Sequence, residues 1–378
     1  MVRPVELSPN HAAFVLNGLG EVGPRTFLTI FGAVGMDFPE IFSMGGEQLL
    51  GKFAISQKAA NAIVRWKECF NLEEQLRSMA DFGAEFSPYF AEDYPGTLKK
   101  IANPPIGLHR AGQPLPQGKS VAIVGTRACS HYGESVAFSL ARDLAERGYG
   151  IVSGLARGID MAAHAGTLAA GGHTVAILGC GLDIVYPPDN SGLYEKIRRS
   201  GTLVSEFSFG RRADRQTFAI RNRIITGMVD AVIVVETGLT GGSMLSANYA
   251  REQRKPLLAV PGRIYENFSV GCHRLIRGGA LLLSEVADVV EALEGTAAVA
   301  KQLDLPLEQH RPQRRAERPT LSEDEGKIWD SLGGGAKTVE EIAEEIGLAV
   351  LPCAQLLQGL RLRGIARREL SGAFSRST

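Results

Sequence analysis

The middle of the chain alternates short apolar runs with longer stretches whose apolar residues recur at helical spacing. The apolar runs predict buried strands at 121–124, 149–153, 174–178, 203–205, 231–235 and 257–260. The stretches between them predict helices at 132–147, 160–170, 191–199, 217–228 and 243–253. Because buried strands that alternate with helices are typical of a mostly parallel sheet covered on both faces, the pattern predicts an α/β, Rossmann-like core.

The two ends of the chain differ from this core. Residues 8–78 have the pattern of short helices separated by glycines, and the turn at 16–24 is similar to a helix-hairpin-helix. Few cations flank that turn, which favours a packing or partner-binding role over DNA contact. Residues 82–118 are irregular and proline-rich, with one edge strand predicted at 106–110.

The C-terminal part begins after a polar, proline-bearing and arginine-rich stretch that is typical of a linker. Three short predicted helices and a strand at 367–370 then resemble a winged helix. The third helix, 351–363, has few base-reading side chains, which favours protein contact. The predicted organisation is a helical domain at 1–80, the Rossmann-like domain at 81–295, a linker at 296–318 and a winged-helix domain at 319–378.

Composition narrows the function classes only slightly. Of the 378 residues, 41 are Lys or Arg and 41 are Asp or Glu, so any polyanionic partner must meet a local basic surface. Five scattered cysteines without a C-x-x-C pair indicate a reducing compartment. With neither a leader-like N-terminus nor a membrane-length apolar run, the sequence predicts a soluble, cytoplasmic protein that does not contact a membrane.

The first predicted strand runs directly into Gly125, Thr126 and Arg127. Ligands of open α/β sheets bind at the carboxyl ends of strands, and the amides that open the following helix attract anions. Glycine allows close backbone approach, and an arginine fork suits phosphate. Many such turns contain glycine for conformational reasons alone, and no G-x-G-x-x-G follows the strand. Phosphate binding and a purely structural turn both stay open at this loop.

Other strand ends add glycines, hydroxyls and cations. The candidate positions are Ser153, Gly154, Arg157 and Gly158 after the second strand, Gly241, Gly242 and Ser243 after the fifth, and Arg215, Arg221, Asn222 and Arg223 between the fourth and fifth. The segment 211–223 holds five arginines against one aspartate. Cations from several loops at one sheet edge fit an extended polyanion better than a single phosphate. Phe218 in this segment either stacks a base or packs in the core, and the sequence leaves both open.

Catalytic and metal-binding patterns are weak. His164 lies among small residues without an evident carboxylate partner, and Cys180 has no identifiable catalytic histidine. No histidines or cysteines have metal-ligand spacing. The sequence therefore predicts a binding protein rather than an enzyme, with no catalytic residues, metal or cofactor.

Five ordered motifs resemble those of the DprA/Smf family, the DNA-processing proteins of bacterial natural transformation. The motifs are GTR at 125–127, SGLARGID at 153–160, GLDIVYP at 181–187, RNRII at 221–225 and GSMLSA at 242–247. The resemblance is strong over residues 80–290. The helical start and the winged end are also similar to the three-part layout of the family.

The resemblance implies a non-catalytic protein that binds and protects single-stranded DNA and loads a RecA-type recombinase onto it. It also implies a homodimer formed through the Rossmann-like domain, with family dimer contacts near 271–283. Arg215 stands where relatives can carry a lysine. The implied DNA contacts are Arg127 as the central phosphate ligand, Gly125 and Thr126 beside it, Ser153, Gly154 and Arg157 in the same pocket, Arg221 and Arg223 along the strand, and Phe218 as a base-stacking ring.

Two other functions remain as alternatives. Phosphoribohydrolases that act on nucleoside monophosphates have a Rossmann-like core similar to the one predicted here, and they carry a glycine-rich loop comparable to residues 240–246. Ser246 stands there in place of their catalytic glutamate, which disfavours hydrolysis. A regulator that reads duplex DNA would need base-edge contacts from the 351–363 helix, which is poor in Asn, Gln and Lys.

Overall fold

The computed structural model describes residues 7–294, 321–334, 337–363, 365–368 and 373–376. They belong to two compact units that divide between Leu307 and Glu308. The predicted linker, 296–318, lies outside the described residues.

The first unit is built on one large sheet. Its strands are β1 Ala84–Pro88, β2 Gly107–Gly112, β3 Ser120–Val124, β4 Gly150–Ser153, β5 Thr174–Ile177, β6 Thr202–Ser205, β7 Ala231–Val234, β8 Leu257–Ala259 and β9 Leu281–Leu282. Their order across the sheet is β1-β2-β6-β5-β4-β3-β7-β8-β9. Strands β3 to β9 run parallel, while β1 and β2 add to the β6 edge as an antiparallel pair.

Helices cover both faces of this sheet. They are α7 His131–Glu146, α8 Ile159–Ala169, α9 Ser191–Ser200, α10 Arg215–Gly227, α11 Gly242–Glu252, α12 Val270–Arg277 and α13 Val286–Leu293. Because successive strand side chains point to opposite faces, Val121 and Ile123 of β3 pack in the layer that holds α7 and α8. Ala122 and Val124 pack in the layer that holds α10 and α11. This burial on both faces explains the uninterrupted apolar runs in the sequence.

Short helices precede the sheet. They are α1 Pro9–Gly18, α2 Pro24–Val34, a 3₁₀ helix at Gly35–Ser43, α3 Gly46–Lys52, α4 Gln57–Val64, α5 Trp66–Cys69 and α6 Leu72–Phe82. Their core includes Phe86 of β1 and Ile106 before β2, so these helices pack on the antiparallel edge of the sheet. Asn17 also donates a hydrogen bond of 2.8 Å to the carbonyl of Glu206, after β6.

The second unit contains three helices and a hairpin. The helices are α14 Glu323–Ser331, α15 Val339–Ile346 and α16 Val350–Leu362, and the hairpin joins β10 Ala366–Arg368 to β11 Phe374–Arg376 in antiparallel register. Thr338 caps α15 by accepting from the amide of Glu341, whose side chain bonds back to Thr338, which confirms the predicted capping box. The winged-helix assignment and the remainder of the predicted strand 367–370 stay predictions, since residues 369–370 lie outside the described ranges.

The α/β fold class is confirmed, and every strand and helix predicted for the core lies within two residues of its observed bounds. One expectation was incomplete. The strand predicted at 106–110 is not the edge of the sheet, because β1 pairs with it on the outer side. The domain boundary near residue 80 stays a prediction. In the described part of the chain, no helix is both long and apolar enough to cross a membrane.

Candidate nucleic-acid interface

A cavity of about 610 Å³ opens at the carboxyl ends of β3 and β7. The chain leaves β3 to build β4, β5 and β6 on one side and returns to place β7 on the other. This reversal of strand order is the place where open α/β sheets bind their ligands. The cavity lining includes Gly125, Thr126 and Arg127 after β3, Asp160 on α8, Arg215, Phe218, Arg221 and Asn222 on α10, and Thr240, Gly241, Gly242 and Ser243 around the start of α11.

The loop after β3 is fixed by close backbone packing. A Cβ on Gly125 would lie 2.8 Å from Cβ of Ile159 and 3.0 Å from the carbonyl oxygen of Glu236, so only glycine fits there. The amide of Thr126 donates to the same Glu236 carbonyl at 2.7 Å. Gly158, with φ +75°, lies beneath the carbonyls of Thr126 and Arg127. The loop therefore presents Arg127 from a rigid base.

The helix that follows this loop does not offer its amino terminus to a ligand. Ser130 caps α7 by accepting from the amide of Gly133 at 3.1 Å. The buried carboxylate of Glu236 accepts from the Ser130 amide at 2.9 Å and from its hydroxyl at 2.5 Å. A negative charge thus already occupies the positive end of α7, and the sequence-based expectation of an anion there is not supported.

The start of α11 provides the helix terminus instead. Gly241, with φ +125°, is its N-cap and supplies no side-chain cap. Ser243 turns its hydroxyl to Thr237 at 2.7 Å, and Asn222 of α10 donates to the carbonyl of Gly242 at 3.0 Å. The loop is thereby held in place, and Gly242 and Ser243, the first residues of α11, line the cavity, where a helix dipole favours an anion.

One face of α10 supplies the cationic and aromatic side chains. Arg215, Phe218 and Arg221 are spaced three residues apart and all line the cavity. The capping box of Asp214 and Thr217 starts the helix at that position. Arg127 and Arg221 lie 4.7 and 5.8 Å from the centre of the Phe218 ring, within cation–π range.

Arg221 is the most constrained of these cations. Its side chain is buried, and its Nε and Nη1 atoms have no hydrogen-bond partner among the described residues. Burial lowers the pKa of Arg221 to about 10, opposed by attraction to Asp160 and assisted by repulsion from Arg127. Burial likewise raises the pKa of Asp160, opposed by Arg221. A buried guanidinium with unused donors is costly, and attraction to Asp160 offsets part of that cost.

Some predicted site residues support the cavity without lining it. The Ser153 hydroxyl is buried and donates to the carbonyl of Ile123 at 2.6 Å. The backbone of Gly154 is covered by the Arg221 guanidinium, and Gly158 lies under the loop after β3. These residues pack beneath those that line the cavity, and the geometry does not support direct ligand contact by the Ser153 hydroxyl.

Arg223 lies away from the cavity. Its guanidinium pairs with Glu206 at 2.5 Å, and both side chains are buried. The physical reason is helical geometry, because residues two apart on a helix lie on different faces. The expectation that Arg223 holds the strand is therefore not supported, whereas the same expectation for Arg221 fits the structure.

Arg157 lies at the rim rather than in the cavity. It lines a smaller neighbouring cleft with Arg127, Tyr186 and Phe218, and it forms a 2.5 Å ion pair with Asp189. Tyr186, whose ring centre is 5.3 Å from that of Phe218, was not among the predicted site residues. Its place in the motif at 181–187 is the sequence signal that marks it.

The catalytic candidates have structural roles. Nε2 of the buried His164 accepts from the Leu155 amide at 3.2 Å, so its Nδ1 carries the proton and donates to Thr174 at 2.7 Å. The Cys180 thiol donates to the carbonyl of Ile184, and burial raises its pKa to about 11. The described residues contain no cluster of three potential metal ligands. Asp160 is the one carboxylate among the described lining residues, and it accepts from the amides of Gly154 and Ala156.

Several known proteins that are similar to this chain belong to one family. The family model for DNA recombination-mediator protein A matches residues 85–294. A putative DNA processing protein DprA of Mycobacterium tuberculosis is 40% identical over 249 residues, which are 66% of this chain and 61% of that protein. The DNA processing protein DprA of Streptococcus pneumoniae is 36% identical over 254 residues, covering 66% of this chain and 88% of that protein.

Two solved structures are also similar. The crystal structure of the Streptococcus pneumoniae DprA superposes with a TM-score of 0.66 at 30% identity, covering 74% of this chain and 96% of that one. The structure of DNA processing protein A from Helicobacter pylori, which gives structural insights into the single-stranded DNA binding mode of that protein, is also similar. It superposes with a TM-score of 0.51 at 31% identity, covering 56% of this chain and 96% of that one. The motifs, the fold and these matches agree, and the chain belongs to the DprA/Smf family of DNA recombination-mediator proteins.

Proposed function

We propose that this chain binds single-stranded DNA in the cavity between β3 and β7, without cleaving or modifying it. The observation that carries the proposal is the arrangement on one face of α10, where Arg215, Phe218 and Arg221 meet Arg127. Arginines bind phosphates, and an aromatic ring stacks on a base of any sequence. Binding to DNA is thus expected to be independent of base sequence.

Single strands fit this cavity better than duplex. The Phe218 ring lines a concave site with its centre 4.7 and 5.8 Å from two guanidinium groups, and a base can stack on this ring only if that base is unpaired and unstacked. The bases of a duplex are already stacked on each other and would expose only their edges. Phosphates of either form could reach Arg127, so preference for single strands depends on the ring.

A binding role also fits Ser246 and Asp160, two side chains at the site that are relevant to hydrolysis. Ser246, which replaces the catalytic glutamate of phosphoribohydrolases, is buried and donates to the carbonyl of Gly242 at 3.2 Å. The Asp160 carboxylate is engaged by two backbone amides. Neither group is placed as a free general acid or base, which supports DNA binding over nucleotide hydrolysis.

The proposed role in the cell follows from family membership. The bound strand is protected and passed to a RecA-type recombinase, as in natural transformation, and the protein acts as a homodimer through its Rossmann-like domain. Support for the dimer comes from the exposed edge of the sheet, where half of the Leu282 surface in β9 is accessible. Sedimentation of the pure protein over a range of concentrations tests the dimer.

The experiment that tests the DNA function is a titration of the full chain against labelled oligo-dT and a matched duplex at two salt concentrations. Tighter binding of oligo-dT, weakened by salt, supports the proposal. Equal affinity for both forms, or turnover of a nucleoside monophosphate by the pure protein, contradicts it.

A further inference from the structure

A smaller cleft adjoins the main cavity on the side of β4 and β5. It is lined by Arg127, Ala156, Arg157, Tyr186, Pro187 and Phe218, and we refer to these residues as the outer cleft. Its volume is about 40 Å³, which is too small for a base but suits the oxygens of a phosphate. Arg127 and Phe218 line both the outer cleft and the main cavity, so the two spaces are neighbours.

Tyr186 forms the far wall of the outer cleft. Its ring centre lies 5.3 Å from that of Phe218 with the two planes inclined at 48°. Tyr186 is 43% exposed. One side of the Tyr186 ring therefore packs on Phe218, and the remaining surface faces solvent beside the cations.

Arg157 is held at the same place by an acid. Its Nη2 atom forms a 2.5 Å ion pair with Asp189, and both side chains are more than half exposed, at 59% and 67%. An ion pair so open to water contributes little to stability. The Arg157 guanidinium can therefore exchange Asp189 for a phosphate at small cost.

We propose that the outer cleft is part of a second nucleotide subsite: Arg157 binds a phosphate in the cleft, and a base stacks outside the cleft on the exposed surface of Tyr186. The phosphate lies between that base and the one on Phe218. Asp189 acts as a competing anion that holds Arg157 when no DNA is bound. This inference rests on the proposed function, since it extends the path of the same single strand from the main cavity toward β5. It assigns a base-binding role to Tyr186, and it makes Asp189 the partner of Arg157 that DNA must displace.

The stacking part is tested with the full chain and oligo-dT that carries one stacking-sensitive fluorescent base. Tyr186→Leu should weaken binding about tenfold, the scale of one lost base–aromatic stack, while Tyr186→Trp should restore it. Unchanged thermal unfolding in both variants shows that the fold is kept. Equal affinities of Tyr186→Leu and the wild type would overturn the second subsite.

The competing-anion part is tested by a double-mutant cycle. Asp189→Asn keeps the shape of the side chain and should tighten oligo-dT binding about twofold to fivefold, because Arg157 is released. That gain should disappear in the Arg157→Ala background, since the two residues act through one pair. Asp143→Asn, which removes a similar partner from Arg142 near the end of α7, is the matched control and should leave affinity unchanged.

The outcomes separate this inference from the proposed function. If Phe218→Leu weakens oligo-dT binding and neither Tyr186→Leu nor Asp189→Asn changes it, the outer cleft is not a subsite and the main cavity still is. If none of the three variants changes binding, both proposals fail. A gain in Asp189→Asn that persists without Arg157 overturns the role of the ion pair.

Discussion

The guanidinium group of Arg221 packs directly against the backbone of Gly154, so that a Cβ at position 154 would overlap its Nη1 atom. This contact joins α10 to the loop after β4 and fixes the direction in which the buried cation points. Glycine at 154 is thus required by a neighbouring side chain rather than by its own φ angle, which is not in the left-handed region.

Gly154→Ala should therefore displace Arg221. We expect the free energy of unfolding to fall by about 1–3 kcal/mol, the usual cost of an overpacked core, and oligo-dT binding to weaken. Denaturant unfolding and a binding titration measure the two effects. Gly192→Ala is the matched control, because a Cβ there meets no atom within 4 Å. It should leave oligo-dT binding unchanged and, since Gly192 lies in α9, should not lower stability and can raise it by up to about 1 kcal/mol. Stability equal to that of the wild type at Gly154→Ala would show that Arg221 is not held as described.

His109 should make the protein sensitive to acid. It is fully buried among the rings of Phe14, Phe86 and Phe209, and burial lowers its pKa from 6.5 to about 4. Below pH 6.5 the unfolded chain binds a proton at this histidine and the folded chain does not, so stability is lost as the pH falls from 6.5 toward 4. The slope from one such group is about 1.4 kcal/mol per pH unit.

His109→Leu removes this contribution and should flatten the pH dependence in that window. Denaturant unfolding at a series of pH values measures it. Part of the acid sensitivity should persist, because burial also lowers the pKa of His164, to about 3. Parallel curves for the variant and the wild type would contradict the assignment to His109.

Removal of residues 319–378 should leave most of the single-strand binding intact. The described residues of the second unit have their own core, which includes Ile328, Ile342, Leu357 and Phe374. The lining of the main cavity lies between Val124 and Ser246. A titration of the truncated chain against oligo-dT checks this, and a large loss of affinity would reassign DNA binding to the second unit.

The sequence predicts the core elements well because the apolar pattern of each strand and helix is contained within its own segment. Strands such as β3 and β7 are buried on both faces and appear as the apolar runs at 121–124 and 231–235. The order of the strands does not follow from such runs, because it depends on which strands pair across the sheet. The hydrogen bond from Ser130, the N-cap of α7, to Glu236 also depends on long-range pairing, since the two residues are 106 positions apart.

The site could be predicted in part. The predicted helix 217–228 includes Phe218 and Arg221, whereas the observed helix begins two residues earlier, at Arg215. The three-residue spacing then brings Arg215, Phe218 and Arg221 to the cavity on one face of that helix. The same periodicity separates Arg223 from Arg221, so helical geometry alone would have excluded Arg223. The ion pair between Arg157 and Asp189 joins two loops and has no local signal in the sequence.

The central claim is that Arg127 and its neighbours form a phosphate-binding trough for an unpaired strand. The most direct measurement is the affinity for labelled oligo-dT, as a function of salt, of the wild type, Arg127→Ala and Arg142→Ala, the last being an exposed arginine paired with Asp143. Arg127→Ala should bind more weakly and lower the steepness of the salt dependence by about 0.7–1, the loss of one phosphate contact, while Arg142→Ala should match the wild type. Equal affinity and equal salt dependence of Arg127→Ala and the wild type would contradict the account.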